Sequence, residues 1–215
     1  MRVNILAGGP PSLWPKDLFA QPGTWIGVDR GAWYLYQEGL AMNAVIGDFD
    51  SLSEAEYATL RAHLQDTEIE QFPPEKDFTD TALALRQAQK LGADVIYLYG
   101  ATGGRIDHLL SNLWLPAEAE FSDIIDRLVL VDCQNQVTYL TPGDRQVRQV
   151  PGMKYLGFMP LGLVDNLVIH DAKYTLTSAK NKPKMWSSNE FVTELVHVSF
   201  DTGILMVTQS KDGGI

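Results

Sequence analysis

A chain of 215 residues with 45% hydrophobic and 20% charged residues has the composition of an ordinary globular protein, long enough for one large domain or two small ones, which excludes a disordered tail and a disulfide-stapled miniprotein. Acidic residues outnumber basic ones 27 to 17, and the formal charge of -10 argues against a surface that grips nucleic acid by its phosphates, while a small anion can still bind through a metal. The single cysteine, Cys133, excludes an internal disulfide, and the opening MRVNILAGGP lacks the apolar length of a signal peptide or membrane span, so a cytoplasmic protein without membrane attachment is expected.

Along the first part of the chain, short apolar runs at residues 3–7, 24–28, 44–46, 69–72, 95–99 and 128–131 each end at Gly, Pro or Asp, the pattern of buried parallel strands. Helical stretches alternate with them. Residues 53 to about 64 follow a Ser51-x-x-Glu54 capping box and set Tyr57, Leu60 and Leu64 on one face, and residues 79–90 stop at Gly92, a C-terminal cap. This alternation predicts an α/β domain over residues 1–140, an open parallel Rossmann-like sheet with right-handed crossovers. Beyond it the helical period disappears. Strands are predicted at residues 155–159, 167–170 and 195–200, and the turn Asp201-Thr202-Gly203 predicts a hairpin into residues 204–207. Residues 141–215 thus read as a small all-β sandwich reached through the linker Thr141-Pro142-Gly143-Asp144, its edges needing cover from another sheet or a second subunit.

The polar residues of the first domain fall just behind its predicted strands, on the carboxyl edge of one sheet, where open α/β sheets bind ligands. Asp29 follows the second strand, and Asp48 and Asp50, in Gly47-Asp48-Phe49-Asp50-Ser51, follow the third. Lys76-Asp77-Phe78-Thr79-Asp80 follows the fourth, and Gly103-Gly104-Arg105-Ile106-Asp107-His108 the fifth. In an extended segment residues i and i+2 share a side, so Asp48 and Asp50 are expected to point one way while Phe49 turns inward. Two such charges about 4 Å apart repel by roughly 1 kcal/mol in water and about 4 at an effective dielectric near 20, which a hard divalent cation reverses. Oxygen donors without a nearby Cys favour magnesium over zinc. Helix capping is the competing reading: Asp48 and Asp50 solvated beside a helix that begins near Ser51, and Asp77 or Thr79 as an N-cap. Asp80, deeper in its helix, is less needed for capping and is the better metal ligand.

Gly103-Gly104 allows a ligand to approach the backbone, the helix start behind it offers N–H groups to phosphate, and Arg105 adds a charge-assisted fork. The alternative is an ordinary glycine turn with an exposed Arg and a capping Asp107. Gly8-Gly9-Pro10-Pro11 has neither the GxGxxG nor the GK[ST] spacing and reads first as a turn, with contact to a nucleotide as the second reading, and His63, His170 and His197 have no metal-ligand spacing.

Taken in order, GVDRGAWYL at 27–35, IGDFDS at 46–51, KDFTDTALAL at 76–85, GATGGRIDHLLSN at 100–112 and SSNEF at 187–191 resemble the thiamine pyrophosphokinase (thiamine diphosphokinase) family in its bacterial form. The resemblance implies a pyrophosphoryl transfer from ATP to the hydroxyl of thiamine, giving AMP and thiamine diphosphate, by a homodimer whose β-sandwich completes the thiamine pocket across the subunit interface. Carried over by motif, Asp48, Asp50 and Asp80 are the Mg²⁺ ligands; Asp29, Lys76, Thr79, Gly103, Gly104 and Arg105 bind ATP. Asp80, Arg105 and Asp107 serve the reaction, with Asp107 or Asp80 taking the hydroxyl proton. Ser188 and Asn189 match the Ser-Asn that faces thiamine, and Tyr174 the aromatic before the last strands. Trp186 either stacks on the aminopyrimidine or belongs to core or interface. The chain departs from the family at 177–187, TSAKNKPKMWS, which lacks glycines before the Ser-Asn, and at Arg30, where many members have glycine. A rival magnesium phosphatase with Asp48 as nucleophile leaves KDFTD and GGRIDH unexplained. A non-catalytic thiamine or nucleotide sensor is disfavoured by the complete carboxylate set.

Overall fold

The computed structural model of the chain describes residues 1–64, the backbone of residues 68–71, and residues 78–213. Two compact units divide it: Met1–Leu115 with Val131–Cys133, and Pro116–Leu130 with Gln134–Ile215. In the first, β1 (Arg2–Leu6), β2 (Thr24–Val28), β3 (Met42–Gly47), β4 (Glu68–Gln71) and β5 (Val95–Tyr99) form a parallel sheet in the order β4-β3-β2-β1-β5. The inner strands β1, β2, β3 and β5 are rich in apolar residues because they are largely covered: Val3, Ile5, Ile26, Val45 and Ile96 are all buried. Between them run α1 (Arg30–Gln37), α2 (Glu54–His63) and α3 (Asp80–Lys90), and α4 (Ile106–Trp114) follows β5.

The helix signals held with one shift. Thr79 caps α3, its Oγ1 accepting the Ala82 N–H at 3.2 Å, and Gly92 stands after it at φ +68°. The capping box of α2 lies two residues later than the Ser51-x-x-Glu54 reading. Ser53 is the N-cap and Glu56 its reciprocal partner, with Ser53 N–H donating to Glu56 Oε2 at 2.8 Å. Both spacings satisfy the box rule. Burial of Leu52 in the first unit's core requires the chain to turn after it, and that selects the later box.

The second unit holds an antiparallel run β12-β9-β14-β7 and a four-stranded sheet β11-β10-β13-β8. Its strands are β7 (Asn135–Leu140), β8 (Gly143–Arg148), β9 (Tyr155–Pro160), β10 (Val164–Ile169), β11 (Leu176–Asn181), β12 (Trp186–Glu190), β13 (Leu195–Phe200) and β14 (Leu205–Ser210), after β6 (Leu128–Val131). Val147, Phe158, Leu167, Val198, Phe200 and Val207 meet in one core drawn from both sheets, which makes this unit a β-sandwich.

Three expectations change here. Residues 195–200 and the following strand form no hairpin, because β13 pairs with β8 and β10 whereas β14 pairs with β7 and β9. The Asp201-Thr202-Gly203 turn instead carries the chain from one sheet to the other. The pattern reflects it: β13 alternates with one face buried, while Leu205, Met206 and Val207 of the central strand β14 are buried in succession. The expected linker at 141–144 is also absent, since Gly143 and Asp144 already pair with Phe200 and Ser199. β7, assigned by sequence to a domain ending at residue 140, pairs along its length with β14 and belongs to the second unit.

Candidate active site

In the first unit the strand order reverses at β1, whose neighbours are β2 on one side and β5 on the other. At the carboxyl ends of these strands lies a cavity of about 740 Å³, the position that doubly wound sheets use for ligands. Of the residues expected at a site there, Asp29, Asp48, Asp50, Thr79, Asp80, Gly103, Gly104, Arg105 and Asp107 all line it. Gly8, Gly9 and Pro10, read as a turn, line it too. Lys76 and Asp77 lie outside the described residues.

The acidic loop behind β3 is a built turn. Phe49 sits at φ +61°, a left-handed conformation, so the segment is not extended as expected. The aromatic ring still turns inward, 5% exposed and stacked on Tyr57 at 5.2 Å, which leaves Asp48 half-buried and Asp50 exposed on either side of it. Asp50 N–H donates to Asp48 Oδ1 at 3.0 Å, and Phe49 N–H to Asp29 Oδ1 at 3.3 Å. Asp29 itself has φ +46° and its carboxylate lies over Gly47, where a Cβ would stand 1.9 Å from Asp29 Oδ1. A backbone held this far from its usual wells marks a place where geometry is under functional constraint. With Ser53 as N-cap, neither Asp48 nor Asp50 is required to cap α2, so the capping alternative falls away for both.

The glycine loop behind β5 is equally specific. Gly103 and Gly104 have φ +79° and +68°, and a Cβ on Gly103 would meet Leu13 Cδ1 at 2.5 Å. Arg105 precedes α4 and its guanidinium forks onto Asp107, with Nε to Oδ1 at 3.1 Å and Nη2 to Oδ2 at 2.6 Å. The Arg105 hydrogen bonds, first among the causes, hold the Asp107 carboxyl down at about 2. Asn112, the last residue of the GATGGRIDHLLSN motif and not among the residues expected at the site, lines the cavity and donates to Ala101 O at 2.9 Å, tying the glycine loop to α4. Its signal was present: His108, Ser111 and Asn112 recur at helical spacing and all line the cavity.

Among the described residues no group of three or more His, Cys, Asp or Glu is assembled to hold a metal ion. The expected triad Asp48, Asp50 and Asp80 shares the cavity but is not gathered into a ready cage.

The residues expected at thiamine lie in the second unit. Ser188 has φ +60° beside an irregularity in the β12–β9 pairing, and it is exposed. Asn189 is 4% exposed and works on the backbone: its Oδ1 accepts from Tyr174 N–H and Glu190 N–H, each at 2.9 Å, and its Nδ2 donates to Tyr174 O at 2.8 Å. It clamps Tyr174, whose side chain stays exposed. Trp186 is half-buried against the sandwich core, with Lys184 Nζ 5.5 Å from its ring.

Two family models match this chain: "Thiamin pyrophosphokinase, catalytic domain" over residues 15–125 and "Thiamin pyrophosphokinase, vitamin B1 binding domain" over residues 145–205. The chain belongs to the thiamine pyrophosphokinase family. Thiamine pyrophosphokinase of Bacillus subtilis (strain 168) is 33% identical over 216 residues, which cover 98% of this chain and 99% of that protein. The crystal structure of a thiamin pyrophosphokinase family protein from Enterococcus faecalis is similar at TM-score 0.90 and 42% identity, covering 99% of this chain and 100% of that one. A crystal structure from Lactobacillus plantarum has TM-score 0.91 and 42% identity, with 99% of each chain covered. Like the thiamine pyrophosphokinases, the chain is an enzyme of the transferase class. Among the described residues no helix is long and apolar enough to cross a membrane.

Proposed function

We propose that the chain transfers the pyrophosphoryl group of ATP to the hydroxyl of thiamine, forming thiamine diphosphate and AMP, with Mg²⁺ as cofactor. The observation that supports this best is the convergence of Asp48, Asp50 and Asp80 with the Gly103-Gly104-Arg105 loop on one cavity at the strand-order reversal. The donor set is all oxygen, the hard chemistry that magnesium takes. Magnesium commonly uses only one or two protein carboxylates and completes its shell with water and substrate phosphates, so three carboxylates around an open cavity fit it without a closed cage. When bound, Mg²⁺ supplies charge neutralisation at the phosphates.

The chain's own groups do the rest. Asp48 and Asp50 hold the cation side, and Thr79 with the backbone of Gly103 and Gly104 receives phosphate oxygens. Lys76, outside the described residues, serves ATP by its place in the KDFTD motif. The guanidinium of Arg105 meets charge that develops on the transferred group, exchanging its Asp107 partner for phosphate. Asp107, freed when its Arg105 fork turns to phosphate, or Asp80 accepts the thiamine hydroxyl proton. In the second unit Tyr174, Trp186 and Ser188 receive thiamine, with Asn189 setting the Tyr174 backbone, and a cytoplasmic homodimer completes the pocket.

The test is direct. Purified chain with ATP, Mg²⁺ and thiamine is expected to release AMP and thiamine diphosphate in equal amounts, resolved by chromatography. Release of ADP, or of free phosphate without thiamine, overturns the reading.

A further inference from the structure

Arg30, the first residue of α1, touches both the acidic loop and the first turn of α2. Its Nη1 donates to Ser51 O at 2.7 Å, and its two terminal nitrogens fork onto Glu56, with Nη2 to Oε1 at 3.2 Å and Nη1 to Oε2 at 3.4 Å. Glu56 Oε2 in turn accepts Ser53 N–H at 2.8 Å and Ser53 Oγ at 3.0 Å. One guanidinium thus grips the carbonyl end of the segment that carries Asp48 and Asp50, and the same carboxylate that closes the N-cap of α2. Asp29, its neighbour in sequence, holds the Phe49 amide in the same turn. Arg30 lines the cavity; Glu56 is not among its lining residues.

We infer that Arg30 and Glu56 form a brace that positions the Asp48–Asp50 turn for its ligand, Arg30 acting as a positioning residue through Ser51 and Glu56. The chemistry suits arginine in particular. A planar fork satisfies a carbonyl and both oxygens of a carboxylate at once, whereas the single ammonium of lysine does not. Ion pairs of this kind, with side chains 34% and 24% exposed, contribute little to overall stability. Their effect is local: a turn with two like charges and a left-handed Phe49 has several nearby arrangements, and the brace selects one. Contacts with Tyr34, and next with Glu56, raise the Arg30 pKa, and the Ser53 hydrogen bonds lead in lowering that of Glu56, so both stay charged across the neutral range.

The activity arm of the test rests on the proposed reaction; the other arm does not. Arg30→Lys and Glu56→Gln are made in the full chain, with Ser53→Ala as a variant that removes the cap and leaves the Arg30–Glu56 pair. Amide hydrogen exchange without ligand is expected to quicken about tenfold at Phe49 and Asp50 in Arg30→Lys and Glu56→Gln, with α3 amides unchanged. In Ser53→Ala the increase is expected at α2's first turn alone. In the AMP-release assay the same two variants are expected to need about fivefold more Mg²⁺ for half-maximal rate, with KM for thiamine unchanged. Unchanged exchange at Phe49 and Asp50 overturns the brace, and so does an Arg30→Lys defect that Glu56→Gln fails to share, which assigns Arg30 to direct ligand contact. If the wild-type chain releases no AMP but the exchange pattern appears, the proposed reaction fails and the brace stands.

Discussion

The two units use polar residues in opposite ways. In the first, charged side chains gather behind the strands, and left-handed or strained backbone at Asp29, Gly103 and Gly104 lines the same cavity, with Phe49 left-handed between the lining residues Asp48 and Asp50. In the second, the buried polar residues Asn181, Asn189 and Gln209 serve the chain itself, donating to or accepting from backbone at Val164, Tyr174 and Val150. A buried amide that satisfies backbone groups holds a fold in place. Strain and like charges that collect around a cavity cost stability and so mark function. The difference sets a charged cavity in the first unit against a scaffold of buried amides in the second, where the left-handed Ser188, at φ +60°, is the strained position among the residues expected at thiamine.

The sharpest break of this contrast is a large deletion in the second unit's core. Phe158, in β9, is fully buried among residues from both sheets. Phe158→Ala is expected to lower unfolding free energy by about 3–5 kcal/mol, read from denaturant midpoints. A loss under about 1 kcal/mol shows that the sandwich is not held by this core.

The converse change belongs to the first unit. Asp48→Asn keeps an oxygen that accepts the Asp50 N–H and does not touch the α2 cap, so its melting temperature is expected to stay within about 2 °C of wild type. Under the proposed reaction its AMP-release rate falls on the order of 10²-fold or more, since a carboxylate facing the cation and phosphates is lost. Unfolding of this variant instead of inactivation places Asp48 with the structural residues and breaks the contrast.

How far the sequence foretells each region follows from the same difference. Strands with a clear apolar or alternating pattern and helices with side-chain caps depend on local signals, and β2, β5, β6, β13 and α3 fall within one residue of their expected bounds. The site was legible because strand ends are legible: every cavity residue expected behind β2, β3 and β5 lines it. What escaped depends on long-range choice. Whether the strand after Gly203 folds back on β13 or crosses to β7 and β9 is decided by which sheet needs a doubly buried centre strand, and the turn residues are alike in both cases. Asn189 read as a ligand residue from its motif, yet its clamp on Tyr174 spans fifteen residues and has no local signature. Arg30 was visible only as a departure from glycine; its partners Ser51 and Glu56 are brought to it by the fold.

The smallest expected effect tests whether the first unit's charges are set in advance for a ligand. Asp107 is solvent-exposed, and its carboxyl stands at about 2 against an ordinary 3.8 because Arg105 donates to both of its oxygens. A depressed folded-state value means that the ionised form is favoured by folding. The associated stabilisation is present above pH 4 and drains away as pH falls from about 4 through 2, and exposure keeps it slight. Carbon-13 titration of Asp107 is expected to give a midpoint near 2 in the free chain and near 4 in Arg105→Gln. ATP that captures the Arg105 fork releases Asp107 and moves the wild-type midpoint up toward 4 as well. A midpoint that stays near 2 with ATP bound means that Arg105 keeps its carboxylate, and the guanidinium then belongs with the structural pairs of the second unit, such as Lys173–Glu190, rather than with the phosphate site.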